Sequence, residues 1–264
     1  MSDLSEQLPD VTALLTALDD ASYLADEPLA TALFLAARMS QPILLEGEPG
    51  VGKTEAAKAL ASVLDTPLIR LQCYEGLTSA EALYEWNYPR QLLAIRLAEA
   101  RGEKPREADL FSDEYLLERP LLAESAVTIP ELGTRRADYP PIVVLTSNRT
   151  RDLHDALKRR CLYHWIDYPD IARVAAIIRR RVPAAADSLA DQVAAGVARL
   201  RHLDLAKPPG IAEAISWANA LHVLGAGELD AAAAERTAGA VLKYSEDLAT
   251  MRRTGFGTLI GQDD

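Results

Sequence analysis

Cysteine is scarce in this chain: Cys73 and Cys161 stand far apart and outside any metal-ligand or Cys-x-x-Cys spacing. A cysteine-built metal site is therefore excluded, and both residues are expected as reduced, buried thiols. Positive charge is also in deficit. Lys and Arg number 28 against 39 Asp and Glu, a formal net charge of -11. That balance argues against non-specific binding to nucleic acid or anionic membrane, since either needs a basic face. No apolar run reaches membrane-spanning length, and Met1-Ser2-Asp3-Leu4-Ser5-Glu6 lacks a basic region followed by an apolar segment. No membrane span and a cytoplasmic address are the expectation.

What is present is apolar substance and one sharp motif. Of 264 residues, 49% are hydrophobic, enough for a moderate domain with its own core plus a smaller one. Ile43-Leu44-Leu45-Glu46 reads as a strand, and Glu55 to Leu64 as a helix with Ala57, Leu60, Ala61 and Leu64 on one face. Between them runs Gly47-Glu48-Pro49-Gly50-Val51-Gly52-Lys53-Thr54, the spacing Gly-x-x-x-x-Gly-Lys-Thr. Gly47, Gly50 and Gly52 let the backbone wrap an anion so that its N–H groups and the helix N-terminus form a cradle. Lys53 would reach the outer phosphates of a nucleotide, and the Thr54 hydroxyl would complete the coordination of Mg²⁺. The candidate cofactor-binding set is Gly47, Glu48, Pro49, Gly50, Val51, Gly52, Lys53, Thr54 and Glu55, with ATP and Mg²⁺ as the cofactors.

Along the rest of the chain, Asp26-Glu27-Pro28 opens a helix ending near Met39-Ser40. Tyr23-Leu24-Ala25 before it either packs or covers a nucleotide base. Pro67 to Cys73 reads as a second, largely buried strand, and Ser79 to Arg101 as a helix interrupted at Pro89. Val127 to Asp138 suggests an extended excursion, a hairpin with Pro130 at its edge. Pro141 to Asn148 is the clearest strand, ending in polar residues where an open parallel sheet keeps its function. A short helix over Asp152 to Arg160 and a strand over Leu162 to Ile166 follow. From Asp170 onward only helices are expected, with stripes at Ile171/Val174/Ala175/Ile178, Leu189/Val193/Val197/Leu200 and Trp217/Leu221/Leu224. The predicted fold class is α/β, a three-layer P-loop core with a largely parallel sheet and a C-terminal helical lid. The predicted division is an N-terminal helical segment over 1–40, the core over 41–170, the lid over 171–253 and a flexible tail over 254–264.

Gly47 to Thr54, the strand ending in Asn148 and Ala156-Leu157-Lys158-Arg159-Arg160 resemble the Walker A motif, sensor 1 and arginine finger of an AAA+ ATPase. Leu45 to Thr54 and Val127 to Gly133 resemble the MoxR branch. Leu83 to Gln91 is similar to MoxR-like accessory ATPases of carbon monoxide dehydrogenase maturation. The resemblance spans about Tyr23 to Leu224. It implies that Asn148 holds the attacking water, and that Arg160, or its neighbour Arg159, stabilises the transferring phosphoryl of an adjacent subunit. It implies a ring-like homo-oligomer, a hexamer, a von Willebrand factor A-domain partner and a metalloenzyme client. The bland alternatives are a turn asparagine at Asn148 and, for the arginines, a basic helix end answering the dipole.

The chain departs from that pattern twice. An AAA+ protein carries an apolar strand ending in Asp-Glu between Walker A and sensor 1, and here the only such pair is Asp113-Glu114, after a short polar stretch. Leu121 to Ala126 joins directly the segments that flank that strand in relatives, as though it had been excised. The sheet would then close by pairing the Asn148 strand with Pro67–Cys73, or Val127-Thr128-Ile129 would fill the gap. Near Pro208-Pro209-Gly210, where relatives often carry a sensor 2 arginine, Ala212 and Glu213 occupy the positions and Lys207 is the cation nearby. The readings are an ATP-driven MoxR-type remodelling chaperone, a nucleotide-binding scaffold with impaired or no hydrolysis, and a small-molecule kinase.

Overall fold

The computed structural model describes residues 8–73, 84–86, 88–100, 116–118, 127–129, 133–135, 141–149 and 155–261. By contacts the chain divides into two units, one formed by Met1–Thr66 with Val143–Asp264 and the other by Pro67–Ile142. Residues of the helical part after Asp170 contact the glycine loop, as described below, and fall in the same unit as the strand that launches it.

In the first unit, α1 (Val11–Asp20) starts at Asp10, whose carboxylate accepts from Ala13 N at 2.8 Å. Helix α2 (Glu27–Met39) starts at Asp26, which accepts from Leu29 N at 2.9 Å, with Pro28 in the first turn where its missing N–H goes unneeded. Strand β1 (Ile43–Gly47) is buried along its whole length and leads through the glycine loop into α3 (Lys53–Val63). Strands β6 (Val144–Ser147) and β7 (Leu162–Ile166) flank β1, both parallel, in the order β6-β1-β7. The register pairs Ile43 with Val144 and Leu162, and Glu46 with Ser147 and Trp165. Since parallel strands share their direction, the loop after Gly47 and the residues after Ser147 emerge at one edge of the sheet. The four-residue helix α5 (Asp155–Lys158) and the start of β7 lie at the opposite edge.

The second unit, described by itself, holds β2 (Tyr84–Trp86) paired antiparallel with β3 (Leu116–Glu118), helix α4 (Tyr88–Ala100), and the hairpin β4 (Val127–Ile129) with β5 (Gly133–Arg135). The expected hairpin near Val127 forms. Pro89 begins α4 rather than interrupting a longer helix, because the first turn is where proline costs no hydrogen bond. The strand expected over Pro67–Cys73 is not regular structure, and Leu68 and Ile69 are exposed. Arg70 and Gln72 alternate with the apolar residues, so the segment lacks the two apolar faces an interior parallel strand needs. Among the described residues, Val127–Ile129 pairs with β5 and β6 pairs with β1, and neither expected closure of the sheet is seen. Asp113-Glu114 lies outside the described residues.

The C-terminal part is helical, as the sequence pattern requires: α6 (Ile171–Arg181), α7 (Asp187–His202), α8 (Ile211–Val223), α9 (Ala231–Val241) and α10 (Ser245–Thr254). Asp170 caps α6 by accepting from Arg173 N at 2.8 Å, and three arginines close its last turn, where a cation suits the helix dipole. The stripe Leu189, Val193, Val197 and Leu200 is fully buried, whereas Ile171 and Leu224 are exposed. Among the described residues Trp217 is the largest buried side chain; its ring sits against Gly196, where an added Cβ would come within 3.2 Å, and its Nε1 donates to Thr237 Oγ1 at 2.7 Å. Within the stretch expected as a tail, Phe256–Ile260 forms a 3-10 turn with Phe256 and Leu259 buried and the Leu259 carbonyl accepting from Arg199. Nor are the two thiols buried as expected: Cys73 is exposed and Cys161 half-buried, both free. Trp217→Ala should lower folding stability by about 3–5 kcal/mol, read as a fall in the urea midpoint without a change of slope.

Candidate functional site

The glycine loop is held between the end of β7 and the start of α8. At Gly47 an added Cβ would lie 2.5 Å from the Ile166 carbonyl oxygen, so only glycine lets β1 turn beside β7. At Gly50, φ is +82°, and the added Cβ would meet Gly210 Cα at 3.0 Å; the Gly50 carbonyl accepts from Ile211 N at 3.0 Å. Gly52, with φ +98°, opens α3. Glu48, Pro49 and Gly50 are exposed at the tip while Val51 and Lys53 are buried, so the loop presents backbone outward over an apolar root.

Lys53, only 7% exposed, bends its ammonium back to donate to the carbonyls of Gly47 at 2.8 Å and Glu48 at 2.7 Å. Burial lowers its pKa, partly opposed by the Glu48 carboxylate. Thr54 and Glu55 fall in the first turn of α3; Glu55 pairs with Lys58 at 2.6 Å and Arg181 at 3.7 Å. Beside the loop opens a cavity of about 360 Å³ walled by Tyr23, Val51, Ile166, Tyr168 and Ile215, with Glu55, Lys58 and Arg173 on its polar side. Tyr23, whose role the sequence left open, thus forms a cavity wall. Its segment is tied down by Arg173, which donates to the Leu24 carbonyl at 2.8 Å and pairs with Asp26 at 3.3 Å.

Asn148 follows Ser147, the register partner of Glu46, and so lies exposed at the sheet edge from which the glycine loop emerges. The next residue, Arg149, takes φ +58°, and its N donates to Ser147 Oγ at 3.1 Å. Its side chain packs over Trp165, 5.2 Å from the ring centre, and pairs at 3.3 Å with Glu46, a carboxylate 1% exposed that also accepts from the Tyr163 hydroxyl at 3.1 Å. A buried carboxylate on β1 therefore orients the turn that carries Asn148.

Arg159 and Arg160 are exposed, just before β7, whose first residue pairs with Ile43 at the start of β1. A five-residue strand at about 3.3 Å per residue separates them from the loop edge by roughly 15 Å, so they do not join the loop of their own chain. Lys207 is exposed on the segment between α7 and α8; its backbone N donates to Asp247 at 3.2 Å. The cation that does reach the loop was missed: Arg201, near the end of α7, whose guanidinium pairs with Glu48. Its position on the helix before the expected one hid it from motif reading.

As a whole the loop can receive an anion on its amides, with Lys53 at its root and an apolar cavity alongside for a flat, uncharged group. Residues 42–104 match the family of AAA domains of the dynein-related subfamily. No curated protein matches the chain significantly. Among solved structures it is similar to a variant of RuvB from Thermotoga maritima, with 17% identity over 81% of this chain and 67% of that one, TM-score 0.43. The Holliday junction branch migration motor RuvB of the same organism gives 20% identity over 84% and 68%, TM-score 0.43. A katanin from a study of its self-assembly gives 19% over 97% and 88%, TM-score 0.35.

The walls of the cavity carry a pH signature. Burial pushes Tyr168 up to about 12 and raises Tyr23 further. A phenol whose folded pKa exceeds its unfolded value of about 10 contributes stability below pH 10 that is lost as pH rises through the folded value. Stability should therefore fall steeply above pH 10. Absorbance at 295 nm should show two of the nine tyrosines ionising only with unfolding, detected by circular dichroism in parallel.

Proposed function

We propose that this chain binds ATP, phosphates on the amides of Gly47 to Thr54 and base in the cavity walled by Tyr23 and Ile215, and hydrolyses it as a subunit of an oligomer. The observation that carries this reading is the glycine-walled turn between β1 and α3, with Lys53 at its root and a cavity of about 360 Å³ at its flank. Backbone N–H groups at a helix N-terminus favour phosphate, and the apolar walls accept a flat heterocycle. Magnesium suits the donor set, since Thr54 offers a hard hydroxyl oxygen in the first turn of α3; bound there it would neutralise phosphate charge. Asn148, exposed next to Arg149 at the loop edge, would hold the attacking water. Arg160, with Arg159 beside it, faces outward far from its own loop and would serve the site of a neighbouring copy in a ring, a hexamer by family resemblance.

The MoxR-like segments Leu45 to Thr54, Leu83 to Gln91 and Val127 to Gly133 support a finer reading. In it, turnover drives remodelling of a metalloenzyme during maturation, alongside a von Willebrand factor A-domain protein. A second reading, nucleotide binding without turnover, is favoured by the sequence itself. No apolar run ending in Asp-Glu stands between Thr54 and Asn148, and without such a carboxylate the attacking water lacks a base.

Lys53→Ala should weaken ATP binding by roughly tenfold to a hundredfold in titration calorimetry, the effect of losing a charge-assisted contact to phosphate. Wild-type protein that shows no affinity for ATP with magnesium in excess refutes the proposal. Arg160→Ala should reduce phosphate release on the order of a thousandfold with ATP affinity nearly intact. An equal loss of affinity would rule out a role in trans, and tight binding by wild type without release would select the second reading.

A further inference from the structure

The cavity beside the loop has one wall unlike the others. On the sides of β7 and α8, backbone abuts backbone: Gly47 meets the Ile166 carbonyl, Gly50 meets Gly210, and the Gly50 carbonyl accepts from Ile211 N at 3.0 Å. A further wall is the connection between α1 and α2, where Ala21, Ser22, Tyr23 and Leu24 line the cavity. Here Tyr23 N donates to the Leu18 carbonyl at 2.8 Å, and Ser22 takes φ +61°, which costs energy in any residue with a side chain. The Tyr23 ring reaches across to the loop, 3.7 Å from where a Cβ on Gly52 would stand. Two arginines of α6 tie this strap down, one at each end. Arg180 donates to the Asp19 carbonyl at 2.6 Å and pairs with the Asp19 carboxylate at 2.9 Å. Arg173 donates to the Leu24 carbonyl at 2.8 Å and pairs with Asp26 at 3.3 Å. Seven residues apart, both arginines fall on one face of their helix.

We propose that residues 21–25 form a gate over the nucleotide cavity, latched at both ends by α6, and that the opening of this latch sets the rate at which nucleotide enters and leaves. The inference rests on the ATP reading above and adds how exchange at that site is timed. The four side chains of the two ion pairs are between 30% and 49% exposed, and pairs so open to water are individually weak and screened by salt. A latch of that strength parts and re-forms readily. The walls at β7 and α8 yield less, because their contacts run between backbones that the glycines bring together. The strap is therefore the wall that moves. Neither ion pair includes the nucleotide, so loosening them lowers the cost of opening equally whether the cavity is empty or filled. Entry and exit then quicken together while affinity hardly changes. Asp26 joins the latch to the fold behind it: Oδ1 caps α2 by accepting from Leu29 N, while Oδ2 faces Arg173. Because both arginines stand on α6, a shift of that one helix acts on both ends of the strap at once.

The test follows binding and release of a fluorescent ADP analogue by stopped flow, with magnesium, in wild type, Asp19→Asn, Asp26→Asn and the double variant. Asparagine keeps the size of the side chain and an acceptor oxygen for Leu29 N, so the cap of α2 survives and the ion pair is what is lost. Each single variant should raise the association and dissociation rate constants together, by about twofold to fivefold, and the double variant by roughly the product of the two. The dissociation constant should move by less than about threefold throughout. Salt should narrow the gap between wild type and the double variant, since it screens the pairs that the variant lacks. Unchanged rates, or faster release with unchanged entry, overturn the proposal and leave the arginines as structural ties. Should the double variant fail to fold, the single variants decide by the same two rates. Wild type that binds neither ATP nor ADP removes the ATP reading and this inference together, whereas wild-type binding with exchange unmoved in the variants removes only this one.

Discussion

A backbone loop that must come within van der Waals contact of two other backbones is the constraint on which this structure depends. Gly47 abuts the Ile166 carbonyl and Gly50 abuts Gly210, with the Gly50 carbonyl accepting from Ile211 N. Side chains at these positions would push β7 away on one side and α8 on the other. The sheet, the loop and the helical part are therefore assembled around the absence of three Cβ atoms. The same approach brings the start of α8 against the loop, and the C-terminal helices fall in one unit with β1.

Charge follows the same geometry. Burying Lys53 beneath the loop is tolerable because its ammonium donates to two carbonyls, and burying Glu46 because Arg149 and Tyr163 meet its carboxylate. Both arrangements serve position as much as stability: one holds a cation at the root of the anion cradle, the other sets the turn bearing Asn148. Arg201 is a third, and like Glu46 it joins segments more than a hundred residues apart, linking α7 to the loop. An otherwise acidic chain thus concentrates cations where its loop can gather phosphate.

Local pattern made much of this legible. Strong periodicity announced α2, α7 and α8, and the apolar run ending in Gly47 announced β1 and its turn. Leu162 to Ile166 was readable as a strand because its apolar residues are bracketed by Arg160 and Pro169. Reading failed where burial had to be inferred without a partner. Pro67 to Cys73 carries apolar residues, yet with Arg70 and Gln72 interleaved it does not enter the sheet. The C-terminal residues read as a flexible tail, but Phe256 and Leu259 are buried in the core that several helices build together, invisible to any single window.

The order of residues by itself determined the glycine-rich turn between β1 and α3, since glycines, lysine and threonine at fixed spacing act over a single turn of chain. It also determined the helical character of everything after Asp170, because amphipathic period is a local property. Only the tertiary structure decided which distant groups complete the site: Tyr23 and Tyr168 as cavity walls, Glu46 as the anchor of Arg149, and Arg201 as the partner of Glu48. Those pairings depend on strand register and on the crossing of helices, and both are set by the packing of the whole first unit rather than by neighbours along the chain.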